Sequence, residues 1–361
     1  MTARQAAAPA PLQQPPAART GHGPAPVTVV IDRQDDPQVT AAALGTHAPA
    51  EGRITVHPTP AVGTPAALAQ DVLHALGKTI IGTGEQHGTW ADSLQPAWAA
   101  AAAWTSAHSI DHLIVTRTHQ LTTRRIQQLL ELRRRTGIRL TLLWHTRPTH
   151  ALTTALDDTE HRMTEDLHST LPQLQQHPTA QRDAALQLPS DDNHRGRYSQ
   201  AWIAPPPPRR GHTTPRPPRA RCPGADHATP PPQAHSPTES GNHDETTDQL
   251  AARLNTLAHP LYAAALATTI LTGASTERLA LLRSTDISTA NATVKIHDGP
   301  THRRCRLHPT PAWARPLLHA ATLYHHQSGR PPEATVFPLI TSRGGNELAT
   351  HARAVRLHLS R

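Results

Sequence analysis

The sequence is poor in cysteine, in aromatic residues and in long apolar runs, and each shortage argues against a class of protein. Two cysteines, Cys222 and Cys305, cannot form a disulfide framework, which favours a reducing compartment and makes the cytoplasm the expected location. No apolar stretch approaches the about 18 residues that cross a bilayer. The N-terminal segment MTARQAAAPAPLQQPPAART lacks the apolar core of a signal peptide. Secretion and a membrane partner are therefore not expected.

Proline is abundant where apolar residues are scarce. The chain has 36 prolines and a mean hydropathy of −0.50, so much of it cannot bury enough apolar surface to offset the entropy lost on ordering. We expect a disordered Ala/Pro/Gln-rich tail over residues 1–26 and a disordered Pro/His-rich linker over residues 189–248, extended like polyproline II. Residues 151–188 are polar, and we expect them to be partly helical through Met163.

Histidine is also abundant, with 27 residues, but its spacing predicts no metal site. Cys222 with His227, His235 and His243 forms the one grouping that suggests zinc, and these spacings fit no compact tetrahedral site. We therefore predict no bound metal and no cofactor.

The positive charge of the chain is unevenly distributed. The net charge is +8 and the isoelectric point is about 10.6. From residue 251 to residue 361, 13 Arg and Lys face 5 Asp and Glu, so this third alone carries +8. Such an excess favours a polyanionic partner, because each cation that meets a phosphate releases counterions. The alternative is that an Arg-, Ala- and Pro-rich composition only reflects a GC-rich coding sequence.

Residues 27–150 predict an α/β lobe. Buried-type strands are expected at 27–32, 52–56, 111–115 and 138–144, with helices from Pro65 to Gly77, over residues 90–108, and from Thr122 or Thr123 to Gly137. Arg133, Arg134 and Arg135 lie at the negative end of the last helix. A strand, a helix and a second strand joined by a short crossover form a parallel βαβ unit.

Part of this lobe resembles a P-loop ATPase core of the AAA type found in transposition helpers. The resemblance covers residues 64–147 and rests on Thr64-Pro65, Leu76-Gly77, Leu113-Ile114-Val115, His119 and Leu121. Thr116 and Arg117 stand where the acidic pair of the Walker B strand would be. No phosphate-loop sequence occurs; the nearest fragment, Gly77-Lys78-Thr79, follows a helix instead of leading into one, so ATP binding is not expected.

Residues 249–361 predict a second lobe, mainly α-helical α+β with a β-hairpin. A helix from Leu261 to Leu271 ends at Thr272-Gly273, and a second helix runs from Ser275 or Thr276 to Asp286-Ile287. A strand at 292–296, a turn at Asp298-Gly299 and a returning strand at 303–307 form the hairpin. A helix from Trp313 to Tyr324, a strand at 334–337 and a helix from about Asn346 complete the lobe.

This order of elements resembles the opening of the catalytic domain of tyrosine recombinases, the phage-integrase family. The matching positions are Thr272, Gly273, Leu279, Leu282, Arg283, Asp286 and Ile287. Ser275 stands at the place of the first catalytic arginine and Arg278 at that of the glutamate. The hairpin carries His302, Arg303 and Arg304 in place of the catalytic lysine, with Lys295 on the preceding strand as a weaker candidate. Tyr324 lies too early to be the nucleophile, and the sequence ends about where the His-x-x-Arg box would begin.

The resemblance implies a DNA-holding scaffold that lacks the arginine and tyrosine needed for phosphodiester cleavage. We predict a non-catalytic protein that binds double-stranded DNA, with no catalytic residue. The predicted phosphate contacts are Arg278, Arg283, Lys295, Arg303, Arg304 and Arg306. The alternatives are a scaffold for an acidic protein partner, a recombinase completed by another chain, and a decaying recombinase fragment.

Overall fold

A computed structural model describes residues 25–60, 64–81, 90–165, 247–299, 305–338 and 345–357. The predicted tail and linker fall almost entirely outside these ranges, as do residues 166–188. Among the helices of the described ranges, none has both the length and the apolar character needed to cross a membrane. The described residues form one parallel sheet with helices and one antiparallel sheet with helices, which confirms the predicted fold class for this part of the chain.

The parallel sheet contains five strands that alternate with helices. In chain order the elements are β1 (Val27–Ile31), α1 (Pro37–Gly45), β2 (Arg53–Val56), α2 (Ala67–Ala75), α3 (Leu94–Ala107), β3 (His112–Val115), α4 (Thr123–Thr136), β4 (Arg139–Trp144), α5 (His150–Leu156) and β5 (His161–Thr164). The strand order is β2-β3-β4-β1-β5, and every pairing is parallel. The predicted βαβ unit is confirmed by β3, α4 and β4.

The ends of α4 form as its sequence indicates. The Thr122 hydroxyl caps the first turn, and Gly137 ends the helix with a φ of 72°, a left-handed value that suits glycine. Arg134 and Arg135 both donate to the buried carboxylate of Glu131, at 2.7 and 2.6 Å. Arg135 also donates to the carbonyl and side-chain oxygens of Gln327, at 3.3 and 3.0 Å.

Elements α1 and β5 were not predicted, whereas α5 lies at the start of the segment that we expected to be partly helical. Asp36 starts α1 because its carboxylate accepts from the Gln38 amide at 2.8 Å and Pro37 follows. Met163, which we placed in a helix, lies in the edge strand β5. The side chains of β5 are largely exposed and the strand is held by backbone pairing to β1, so its sequence carries no apolar alternation.

The C-terminal part contains helices and a small antiparallel sheet. Its elements are α6 (Thr247–Asn255), α7 (Pro260–Thr272), α8 (Thr276–Leu279), β6 (Ile287–Ser288), β7 (Thr293–His297), β8 (Cys305–Pro309), α9 (Arg315–Gln327) and α10 (Gly345–Ala354). The sheet order is β6-β7-β8, so β7 and β8 form the predicted hairpin ribbon. Gly273 ends α7 with a φ of 64° and donates its N–H to the Thr269 carbonyl at 2.8 Å.

The predicted second helix of this part is shorter than expected. It ends at Leu279 as α8, since Leu281 and Leu282 donate to carbonyls only three residues back, at 3.1 and 3.0 Å, and the Leu282 carbonyl accepts from the Val336 amide at 2.8 Å. Arg283 is extended and forms a single bridge with Thr335. The strand that we predicted at 334–337 is reduced to this one bridge.

The two parts of the chain share one hydrophobic core. Ala97 to Trp104 of α3 are completely buried, and α3 packs against α9 and α7 as well as against α2 and α4. The Trp104 indole donates to the Ala258 carbonyl at 2.7 Å, and Thr79 exchanges backbone hydrogen bonds with Thr256 and Ala258. Residues on either side of the predicted linker therefore contribute to the same packed interior.

Lys78 lies at this junction and is buried. Its ammonium group lies 3.5 Å from the centre of the Trp104 ring and donates to the carbonyl and side-chain oxygens of Asn255. Burial lowers the pKa of Lys78 to about 6, since a low-dielectric interior disfavours the charged form.

We expect Lys78 to make stability rise with pH. Between pH 6 and about 10.4, its value in the unfolded chain, the unfolded state holds the lysine proton and the folded state does not. The free energy of unfolding should therefore increase across this window, and K78M should lose that increase. Urea unfolding at several pH values measures it, with K295M, at the chain's other lysine, as the control. An equal rise in wild type and K78M would contradict the assignment.

Candidate functional site

The basic ribbon formed by β7 and β8 carries two of the predicted phosphate contacts on one side. Arg306 lies on β8 with 69% of its side chain exposed, and Arg278 lies on α8. Both guanidinium groups approach the carboxylate of Asp298, at 4.0 and 3.6 Å. The structure therefore brings Arg278 and Arg306 together at the turn end of the ribbon, with one carboxylate between them.

Lys295 lies on the other face of the ribbon. Residues directly paired across an antiparallel ladder share a face, and neighbours along a strand alternate. Arg306 pairs with Ile296, whereas Lys295 pairs with Leu307. Lys295 and Arg306 consequently cannot contact the same flat stretch of a partner.

The other predicted contacts have different positions. Arg283 begins the short turn at 284–286, where its backbone N–H donates to the Asp286 carboxylate at 2.9 Å. Arg303 and Arg304 lie outside the described residues, in the segment that connects Gly299 to the first residue of β8.

A shallow depression of about 580 Å³ lies beside this end of the ribbon. Its lining consists of Gly273, Ser275, Glu277, Arg278, Leu281, Asp298 and Gly299. Ser275 is exposed and makes no side-chain capping bond. Two carboxylates and one guanidinium group line the depression, so it offers no surplus of positive charge to a phosphate.

Neither tyrosine in the C-terminal part is placed as a nucleophile. The Tyr262 hydroxyl bonds to Glu347, and its ring stacks on His351 with centroids 4.0 Å apart. Burial and the Glu347 carboxylate raise the pKa of Tyr262. Tyr324 is also buried, and burial raises its pKa to about 12. Both phenols would have to leave the core before they could attack a phosphate.

A second cluster of chemistry-bearing side chains lies at the carboxyl edge of the parallel sheet. The residues that follow the strands there are Asp32 and Asp35 after β1, His57 after β2, Thr116, Arg117 and His119 after β3, His145 after β4 and Glu165 after β5. Parallel strands all end at the same edge, so one polar row results. His57 Nδ1 lies 2.8 Å from the Thr116 hydroxyl, and Arg33 pairs with Glu165.

Asp32, Asp35 and His145 form the centre of this row. His145 Nδ1 lies 3.1 Å from Asp32 Oδ2 and 3.2 Å from Asp35 Oδ1. Asp32 is buried and also accepts backbone hydrogen bonds from Gln34 and Asp36, at 3.2 and 2.7 Å. The loop after β1 is thus folded around the Asp32 carboxylate, which directs both aspartates towards His145.

Two further groups border this cluster. Arg117, whose φ of 49° is left-handed, approaches Asp35 Oδ1 at 3.5 Å. The His119 ring lies edge-on to the His145 ring, with centroids 5.7 Å apart. Burial and the positive charge of neighbouring His145 lower the pKa of His119, against the opposing effect of Asp35.

Asp32, Asp35 and His145 were not predicted as site residues from the sequence. A usable signal was present, because Asp32 directly follows the apolar run VTVVI and His145 follows LTLLW. A polar residue after a buried parallel strand is expected at the ligand-binding edge of an α/β sheet. What the sequence did not show is that β1 and β4 are neighbours.

Comparison with known protein families, with curated proteins and with solved structures gave no match. The fragment Gly77-Lys78-Thr79 has no free ammonium group, since Lys78 is buried against Asn255.

We expect D32A to destabilise the fold. The substitution leaves the backbone donors of Gln34 and Asp36 and the buried imidazole of His145 with fewer acceptors, which should cost about 2 kcal/mol. Asp35 has 46% of its side chain exposed, so D35A is the matched control and should cost less than half as much. Chemical unfolding measures both, and equal losses would contradict the role given to Asp32.

Proposed function

We propose that this chain is a non-catalytic protein that associates with double-stranded DNA through the basic ribbon. Arg278 and Arg306 would contact phosphates, whereas the predicted contacts Arg303 and Arg304 lie outside the described residues. The observation that carries the proposal is the convergence of Arg278 and Arg306 at the exposed end of β7 and β8. Contacts of this kind give affinity and position but no base specificity.

The distribution of charge supports a polyanionic partner at this end of the chain. Residues 251–361 hold 13 basic and 5 acidic side chains, and residues 1–250 hold 22 of each. The whole net charge of +8 therefore belongs to the third that contains the ribbon. A field of this asymmetry steers a polyanion towards one side of a protein.

The shape of the ribbon also supports this partner. The major groove of B-form DNA admits a two-stranded β-ribbon as well as an α-helix. Within the described residues β8 pairs only with β7, so its outer edge faces no other strand. Arg306 stands on this edge strand with most of its length exposed.

The burial of Tyr262 and Tyr324 supports the non-catalytic part of the proposal, as does the mixed charge of the depression around Ser275. Phosphoryl transfer needs a free nucleophile and several donors directed at the reacting phosphate. Around Ser275 the structure supplies one guanidinium group and two carboxylates.

The first test is the salt dependence of duplex binding. Wild-type affinity should fall steeply from low to moderate salt, and R278A/R306A should weaken binding and reduce the slope of log K against log salt concentration by about 1 to 2. K295A, which removes the same kind of charge from the opposite face, should change the slope less. Fluorescence anisotropy with a short duplex measures all three.

Three results would count against this function. Weak, salt-insensitive binding would remove DNA as the partner and favour the acidic-protein scaffold. If K295A and an R306A single variant reduced the slope of log K against log salt concentration equally, binding would depend on the overall charge and not on one surface. A covalent adduct on a nicked duplex, seen on a denaturing gel, would contradict the non-catalytic assignment.

A second test removes the carboxylate between the arginines. D298N should raise duplex affinity several-fold at low salt, because Asp298 holds both Arg278 and Arg306 within 4 Å and competes with phosphate for them. D248N is the control, because it removes one negative charge from an exposed position on α6, away from the two arginines. If D248N raises affinity as much as D298N, the effect is one of net charge and the proposed surface loses its support.

A further inference from the structure

The order of the parallel strands marks one crevice at the carboxyl edge. The connection that leaves β1 leads to β2 at one edge of the sheet, and the connection that leaves β4 leads to β5 at the other. The neighbouring strands β1 and β4 are therefore the point at which the connections run in opposite directions along the sheet. Open α/β sheets bind ligands in the crevice outside the strand ends at such a point.

Asp32 and His145 are the first residues after these two strands. The strands pair with Ile31 opposite Trp144, and the Asp32 amide donates to the Trp144 carbonyl at 2.9 Å. The sheet therefore holds the residues that follow β1 and β4 side by side. Asp35 lies in the loop after β1, and its carboxylate also contacts His145 Nδ1.

We propose that Asp32, Asp35 and His145 bind a first-row divalent transition ion such as Zn²⁺ through Oδ2, Oδ1 and Nδ1. All the ligand atoms lie within 4.8 Å of one another, with the nitrogen 3.1 and 3.2 Å from the two oxygens. Ligands at about 2.0 to 2.2 Å from a common ion stand roughly 3 Å apart. The existing spacing therefore fits one ion with little movement.

Two buried nitrogen atoms beside the cluster, neither of them a proposed ligand atom, lack a hydrogen-bond partner among the described residues. The His145 side chain is completely buried, and its Nε2 has no hydrogen-bond partner among the described residues. In the neighbouring ring, His119 Nδ1 is also buried and lacks a partner in the same ranges. Unsatisfied buried polar atoms are rare in folded proteins, and a missing ion or water is one of their ordinary causes.

The donor set decides the class of ion. Two carboxylates and one imidazole suit Mn²⁺, Co²⁺, Ni²⁺ or Zn²⁺, whereas Ca²⁺ and Mg²⁺ take oxygen ligands almost exclusively. The ion replaces the hydrogen that His145 Nδ1 shares with the carboxylates, and the neutral ring then carries its hydrogen on Nε2. Water would complete the coordination, since the protein offers three ligand atoms.

Arg117 is the competing cation at this place. Its guanidinium lies 3.5 Å from Asp35 Oδ1, the same oxygen that the ion needs. Removing its charge should therefore strengthen binding, a change that a purely structural cluster would not produce. The variant R117Q is therefore expected to raise the affinity for the ion, whereas the loss of a ligand is expected to lower it.

In the experiment, the full chain is dialysed against EDTA and titrated with Zn²⁺. Calorimetry measures the heat of binding, and thermal unfolding measures the Tm. Wild type should show one site tighter than any other and a rise in Tm. D35N should weaken this site at least tenfold; its exposed side chain and left-handed backbone, which Asn tolerates, favour normal folding, checked by circular dichroism. R117Q should tighten the site several-fold. H161A, which removes an exposed histidine on β5, should leave it unchanged.

Other histidines offer the main competing explanation, because the chain has 27. Equal Zn²⁺ binding in wild type and folded D35N would assign the ion to them and overturn the proposal, as would a wild type without a distinct site. Co²⁺ supplies a second readout, since its visible spectrum reports nitrogen and oxygen ligands. A wild-type band that D35N lacks would support the three-residue site, and identical spectra would contradict it.

Discussion

The burial of α3 on every side is the constraint on which the rest of the architecture depends. From Ala97 to Trp104 no residue is exposed, and a helix that is apolar all round must be covered all round. Helices α2 and α4 of the parallel sheet region cover part of α3, and α7 and α9 of the C-terminal part cover another. Alanine side chains are short enough for close approach of these neighbours. The Trp104 indole donates a hydrogen bond to the Ala258 carbonyl and so connects α3 to the residue pair that precedes α7.

This shared interior explains why polar groups at the junction are buried. Lys78 enters the core between the two parts of the chain because Asn255 supplies oxygen acceptors for its side-chain nitrogen, which lies over the Trp104 ring. His259, which starts α7, is also buried, and desolvation lowers its pKa to about 3. Both groups favour their neutral form, so the junction is held by packing and hydrogen bonds with little contribution from charge pairs.

The sequence predicted local elements better than their neighbours in space. Apolar runs located β1, β3 and β4, and Thr122 with Gly137 located the ends of α4, because these signals are local. The edge strand β5 was missed because backbone pairing alone defines it. The second helix of the C-terminal part was made too long, since only the fold reveals that Val336 takes the Leu282 carbonyl.

For the candidate sites, too, the sequence predicted local features better than neighbours in space. Hairpin signals at Asp298-Gly299 placed Arg306 on a basic ribbon, and the ribbon is confirmed, but the opposite placement of Lys295 follows from a register that turn residues do not specify. The Asp32 and His145 pair depends on β1 inserting between β4 and β5. That insertion joins residues 113 positions apart, and no spacing rule along the chain reaches so far.

The charge of the two surfaces decides which ligand each can take. A loop between the first strand of an α/β sheet and its helix is a common place for a phosphate, which needs glycines and free N–H groups there. Here that loop contains Asp32, Asp35 and Asp36, and the Asp32 carboxylate already accepts the N–H groups of Gln34 and Asp36. A phosphate would meet negative charge and occupied donors. The crevice at the sheet edge is therefore acidic, and this charge is the reason why the proposed ligand there is a cation, whereas the proposed polyanion is assigned to Arg278 and Arg306.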